Sequence, residues 1–177
     1  MKPFGEPVAR VSYQLVRRGG VPIPPTDGEP FVCAVIARRS LTADDRYAIA
    51  EAMIGAGCLA MSAWGEDATL WDDSFDWVCV MGVIEKRWTD EFVVMTSWWD
   101  GDRMDEFLHW AHRFERPYED EAIVDHLHIV EFGDEDRWPV YRAILDALPN
   151  LTRSLFEEDL LDLPGAGERW PLPPPRA

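Results

Sequence analysis

The sequence predicts a three-layer α/β/α domain with a mainly parallel sheet of four or five strands, Rossmann-like or flavodoxin-like in class. Three observations carry that expectation. A continuous apolar run at 31–37 and apolar-rich stretches at 58–64 and 92–98 read as strands covered on both faces. Segments of helical period separate them, and the first two runs lie about a dozen helical residues apart. That spacing is a βαβ unit, whose crossover makes the strands parallel and the connection right-handed.

Each element has a local cause. Phe31, Val32, Val35 and Ile36 dominate the first run. Thr42 then offers an N-cap, with Asp44 and Asp45 in the first turn, where the helix dipole favours acids. Tyr47, Ile49, Ala50, Met53 and Ile54 recur at helical spacing, and Gly57 stands where a left-handed C-terminal residue is wanted. In 67–83, Leu70, Trp71, Phe75, Val78 and Met81 fit a helical stripe, with Asp67 as cap. A helix over 102–114 carries Met104, Phe107, Leu108, Ala111 and Phe114, and Pro117 ends it. A strand over 123–130 follows. Asp136 caps a last long helix with Pro139 in its first turn, and a short helix covers 152–161. Numbering these four strands along the chain, the order 2-1-3-4 satisfies right-handed crossovers and puts helices on both faces.

Outside this body, residues 1–30 form an arm. Ala9, Val11, Tyr13 and Leu15 alternate with polar residues, so the arm can add an edge strand before its Pro- and Gly-rich stretch. The single domain runs over 31–161, and 162–177 is a Pro-rich tail.

The charge is concentrated. Residues 64–136 hold 21 acidic against 5 basic side chains, the whole of the net charge of −16, and seven of the nine tryptophans. Such a field attracts cationic groups, and indole faces hold them by cation–π contact. It opposes direct binding to phosphate backbones, where Lys and Arg supply the affinity. The first residues lack the apolar run of a signal peptide, and no stretch reaches the roughly 18 apolar residues of a membrane span. Three cysteines without a CxxC pair suggest neither a disulfide framework nor a zinc knuckle, so the expected setting is reducing and cytoplasmic.

In an open parallel sheet, ligands bind beyond the carboxyl ends of the strands. The loops expected there contain Trp64, Glu66, Asp67, Trp71, Asp72, Asp73 and Asp76 after the second strand, and Trp98, Trp99, Asp100 and Asp102 after the third. These eleven are the candidate binding residues. Glu131, Asp134, Glu135 and Asp136 follow the fourth strand. A plainer account is that acids gather at helix N-termini, each worth about 0.3–1 kcal/mol, and that most tryptophans are core.

Other chemistry is weakly signalled. His109 and His112 share a helix face and His126 and His128 a strand face, a metal site only if the two faces meet. Asp100-Gly101-Asp102 is similar to carboxylate pairs that hold Mg²⁺. There is no G-x-S-x-G, G-x-G-x-x-G or Walker loop, so no cofactor is expected. Arg38 and Arg39, at the end of the first strand, can meet an anion or pair with neighbouring acids.

The segments Gly57-Cys58-Leu59-Ala60-Met61-Ser62-Ala63-Trp64-Gly65, Trp71-Asp72-Asp73-Ser74-Phe75-Asp76-Trp77 and Val94-Met95-Thr96-Ser97-Trp98 resemble a small bacterial family of uncharacterised α/β proteins. The resemblance covers roughly residues 31–130 and departs at Trp99, where a histidine is expected. It implies one compact domain and transfers no activity.

The favoured functional reading is a non-enzymatic, acidic, Trp-lined module, inhibitor- or immunity-like, that docks a basic protein partner. One alternative is a metal-assisted hydrolase or phosphotransfer enzyme using Asp100, Asp102 and a carboxylate from 66–76. Another is mimicry of nucleic acid by the acidic face.

Overall fold

The structure is a computed structural model and describes residues 10–25, 27–89, 92–112, 124–148 and 163–170. In chain order its elements are β1 (Arg10–Val16), β2 (Phe31–Ala37), α1 (Ala43–Gly55), β3 (Cys58–Gly65), α2 (Ala68–Ile84), β4 (Met95–Trp99), α3 (Met104–His112), β5 (His126–Phe132) and α4 (Trp138–Ala147). All strand pairings are parallel, so the α/β class expected from the sequence is present. The expected helix over 152–161 lies outside the described residues.

The strand order is β1-β5-β2-β3-β4, which corrects the expected one. The expectation placed β4 and β5 together on the far side of β2. Instead β4 lies outside β3, and β5 returns to the opposite side of β2. The cause is helix packing. Trp71, Phe75 and Val78 of α2 enter the same apolar cluster as Ile49, Ala50 and Met53 of α1, so both helices cover one face. Two successive right-handed crossovers on one face carry the chain outward, β2 to β3 to β4. The crossover through α3 uses the other face and leads back. There Met104, Phe107 and Leu108 of α3 pack with Tyr141, Ile144 and Leu145 of α4.

The local signals act largely as expected. Thr42 caps α1, its side chain accepting from the Asp45 N–H at 3.1 Å. Gly57 has φ 103°. Asp67 does precede α2, but with left-handed backbone and no side-chain cap; its carboxylate turns to Ser40 and Arg46. The last long helix starts behind Arg137, while Asp136 Oδ1 accepts from the Trp138 N–H at 3.0 Å. The buried stripe of α2 runs through Trp71, Ser74, Phe75, Val78, Cys79 and Gly82. It is rotated from the expected stripe and leaves Leu70 at the surface.

Gly65 closes the carboxyl end of β3 against β2. It has φ 102°, and a Cβ there would strike the Ala37 carbonyl oxygen. The adjoining Glu66 N–H donates to that same oxygen at 2.7 Å. The described part of the expected tail, 163–170, packs inward. Ala166 is buried, and its carbonyl accepts from Asp105 N while that of Glu168 accepts from Met104 N.

Candidate functional site

Because the sheet is parallel, the loops after all five strands share one edge. The observed order sorts their charge. Arg17 and Arg18 follow β1, Asp134 and Glu135 follow β5, and Arg38 and Arg39 follow β2. Glu66 and Asp67 follow β3, and Asp100 and Asp102 follow β4. The acidic loop after β5 is thus embedded among arginines, three strand steps or roughly 14 Å from the acidic loop after β4. The expected convergence of three acid-rich loops reduces to two.

The candidate residues separate by burial. Trp64 is 0% and Trp71 1% exposed, so neither presents a face to a partner. Trp64 donates its Nε1–H to the Asp102 carbonyl at 3.0 Å, and the Arg38 guanidinium lies 5.4 Å from its ring centroid. Trp71 stacks on Phe132 at 5.2 Å. Trp99 points to the α3 side, where it lies 6.2 Å from Trp110 in a stacked arrangement. Trp98 points the other way, toward α2, and is 52% exposed. Glu66 and Asp67 are half-buried.

Asp72, Asp73, Asp76, Trp98, Asp100 and Asp102 remain, on or beside α2 and the edge strand β4. A 3.6-residue period with Trp71 and Phe75 inward turns Asp72 and Asp76 toward β4 and Asp73, Trp77, Val80 and Ile84 to solvent. Asp76 Oδ1 accepts from Thr96 Oγ1 at 3.3 Å, which ties helix to strand. Trp77, outside the eleven candidates, is 53% exposed, and Val80 and Ile84 are exposed beside it. Among the described residues no ion pair reaches Asp72, Asp73, Asp76, Asp100 or Asp102. Partial burial, then the charge of Asp72, lifts the Asp76 carboxyl above the ordinary carboxylate range. Partial burial, then Asp102, does the same to Asp100. Among the described residues no three or more His, Cys, Asp or Glu side chains are grouped to hold a metal ion.

The opposite half of the edge holds a network that local sequence patterns do not reveal. Glu131 is fully buried and accepts from Arg38 Nε at 2.6 Å, Tyr13 OH at 2.7 Å and Tyr141 OH at 2.7 Å. Arg38 also donates to Glu168 at 2.8 Å, and Arg137 donates to Glu168 at 3.0 Å. Burial opposes the Glu168 charge, yet the Arg38 hydrogen bonds prevail and hold its carboxyl below the ordinary range. Burial, aided by Glu131, pushes the hydroxyls of Tyr13 and Tyr141 up. The sequence singles out Arg38 and Glu131 by their places after strands; their partners Tyr13, Tyr141 and Glu168 come from distant segments.

The histidine pairs do not meet. His126 and His128 project to the α1–α2 face, where Ser12 Oγ lies 2.6 Å from His126 Nε2 and 2.8 Å from His128 Nδ1. His109 and His112 sit on α3, on the other face. Cys33, Cys58 and Cys79 are free and buried, and burial pushes the Cys33 thiol up to about 12, which makes it a poor nucleophile.

Among the described residues no helix is long and apolar enough to cross a membrane. No curated protein and no solved structure matches the chain. The model of one family matches residues 12–149, most of the sheet and its helices, and on that match the chain belongs to the family described as Domain of unknown function (DUF7684).

Proposed function

We propose that the chain is a binding module that docks a basic protein segment along the α2–β4 edge. The observation that carries this reading is the pairing of two half-exposed indoles, Trp77 and Trp98, with five carboxylates that form no ion pair among the described residues. A Lys or Arg side chain there gains from the acidic field and from an indole face together. Asp76 and Asp100, held above their ordinary range, gain most from an arriving positive charge. The outer side of β4 has no strand partner among the described residues, so an extended segment can add to it through main-chain hydrogen bonds. A second copy of the same chain fits poorly, because a net charge of −16 repels itself.

The test is titration of the full chain with an extended Lys/Arg-rich peptide at low and at physiological salt. Trp77→Ala with Trp98→Ala should weaken binding about tenfold or more, as aromatic anchors do. Asp73→Asn with Asp76→Asn should weaken it and flatten its salt dependence. Affinity indifferent to both double variants would end the proposal, as would no binding at low salt.

A further inference from the structure

The sheet reverses between β2 and β5: β3 and β4 step away on one side, β5 and β1 on the other. Loops on either side of such a reversal diverge and leave a crevice beyond the strand ends. Here the crevice is a cleft of about 380 Å³ whose walls carry Arg18, Arg38, Arg39 and Arg137, opposed by Asp134 and Glu135. Four arginines line one cleft of a chain whose net charge is −16.

Two of these arginines are committed to carboxylates. Arg38 is held by Glu131 and Glu168, and Arg137 by Glu168 and, at 3.5 Å, by Glu135. The other two have no ion pair among the described residues. Arg18 is exposed. Arg39 spends Nη2 on the Val16 and Arg17 carbonyls at 3.4 and 3.2 Å, with its guanidinium 5.9 Å from the Phe132 ring centroid. Its Nε is buried without an acceptor.

We propose that this cleft binds a small phosphate-bearing anion, gripped by Arg18 and Arg39 and backed by the braced Arg38 and Arg137. Guanidinium forks match phosphate oxygens two at a time, which an ammonium cannot do. The Glu131–Tyr13–Tyr141 network fixes Arg38 beforehand, so little order remains to be imposed on binding. Asp134, exposed and without an ion pair among the described residues, works against the anion and sets a ceiling on affinity. This site is independent of the α2–β4 surface and survives if that reading fails.

The test is calorimetric and thermal-shift titration of the full chain with inorganic phosphate and with pyrophosphate, at ionic strength held constant with NaCl. Saturable binding with a Kd of roughly 1 mM or tighter, weakened about tenfold by Arg18→Gln and tightened several-fold by Asp134→Asn, is expected. Arg39→Gln should also weaken it; should that variant unfold, the exposed Arg18 and Asp134 variants decide. An acetate arm separates phosphate from carboxylate recognition, and acetate binding as tight as phosphate would overturn the assignment. A response matched by chloride, or one unmoved by Arg18→Gln and Asp134→Asn, would overturn the site.

Discussion

The two halves of the carboxyl edge both carry acids and differ in how far they enclose them with partners. Over β1, β5 and β2 the carboxylates of Glu131 and Glu168 are buried or half-buried, and each is met by guanidinium or phenol donors. Beside β3 and β4, Asp72 and Asp73 lie against Asp76, and Asp102 against Asp100, and among the described residues none of the five forms an ion pair. A carboxylate enclosed with its partners has become structure, because removing it strands the partners. One left beside like charges costs stability and is kept for something outside the fold. The comparison therefore separates acids that hold the domain together from acids available for recognition.

The largest break in that comparison is expected at Glu131. Glu131→Gln keeps the shape but removes the anion at the centre of three donors, leaving Glu168 as the one carboxylate paired with Arg38 among the described residues. Breaking a buried pair on one side costs about 3–5 kcal/mol, and retention of Glu168 puts the expected loss near the lower figure. Urea unfolding should show it as a lowered midpoint at unchanged slope. A loss below about 1 kcal/mol would mean that the network is solvated and that both halves are alike.

How much of this was legible in the sequence follows from how local each cause is. The parallel βαβ core was readable because Thr42, Gly57 and the run from Phe31 to Ala37 act within a few residues of themselves. Strand order was not, since it turns on α1 and α2 packing side by side, a contact between residues such as Arg46 and Ser74. Trp64 and Trp71 stood in the right segments but were misjudged, because their enclosure by Trp170, Arg38 and Phe132 is set by distant chain. Trp98, Asp73, Asp76 and Asp100 are exposed, while Asp72 is half-buried with one carboxylate oxygen enclosed and unpartnered, which its sequence neighbours do not reveal. The arginine cleft was half-readable: Arg38-Arg39 after a strand is a local signal, and Arg18, Asp134 and Arg137 reach it only through the fold.

A second contrast concerns acid. On the β5 side, burial and then the His126 charge depress His128 to about 4, and burial then Arg10 depress His126. One Ser12 hydroxyl proton cannot serve both rings, so one ring accepts from it and the other donates to it, an arrangement that needs the accepting ring neutral and is lost when both are protonated. A base depressed in the folded state leaves the unfolded chain binding more protons below pH 6.5. Stability should therefore be complete above pH 6.5 and fall toward pH 4, by about 1–3 kcal/mol for His128. His128→Asn with Ser12→Ala should flatten that window in thermal melts from pH 7 to 4. A slope unchanged in the double variant would assign the acid sensitivity elsewhere.

The smallest effect has the opposite sign and belongs to the β4 half. Asp76 and Asp100 are raised in the folded state, so the folded chain takes up protons before the unfolded one does. Each therefore stabilises slightly as pH falls through its folded pKa toward the ordinary carboxylate value. Neutralising them by mutation should do the same at pH 7. Asp76→Asn and Asp100→Asn should each raise the melting temperature in low salt, by an amount equivalent to a few tenths of a kcal/mol, because both sites are largely solvated. The bond that Asp76 accepts from Thr96 is kept in the Asn variant, whose amide oxygen can still accept it. Salt near 0.15 M screens charges beyond about 8 Å, so the gain should shrink there. An unpaired acid that is removed with a gain in stability and a loss of peptide affinity is one that recognition alone retains. If Asp76→Asn instead lowers the melting temperature at every salt concentration, the carboxylate is holding α2 to β4, and the edge belongs with Glu131 as structure.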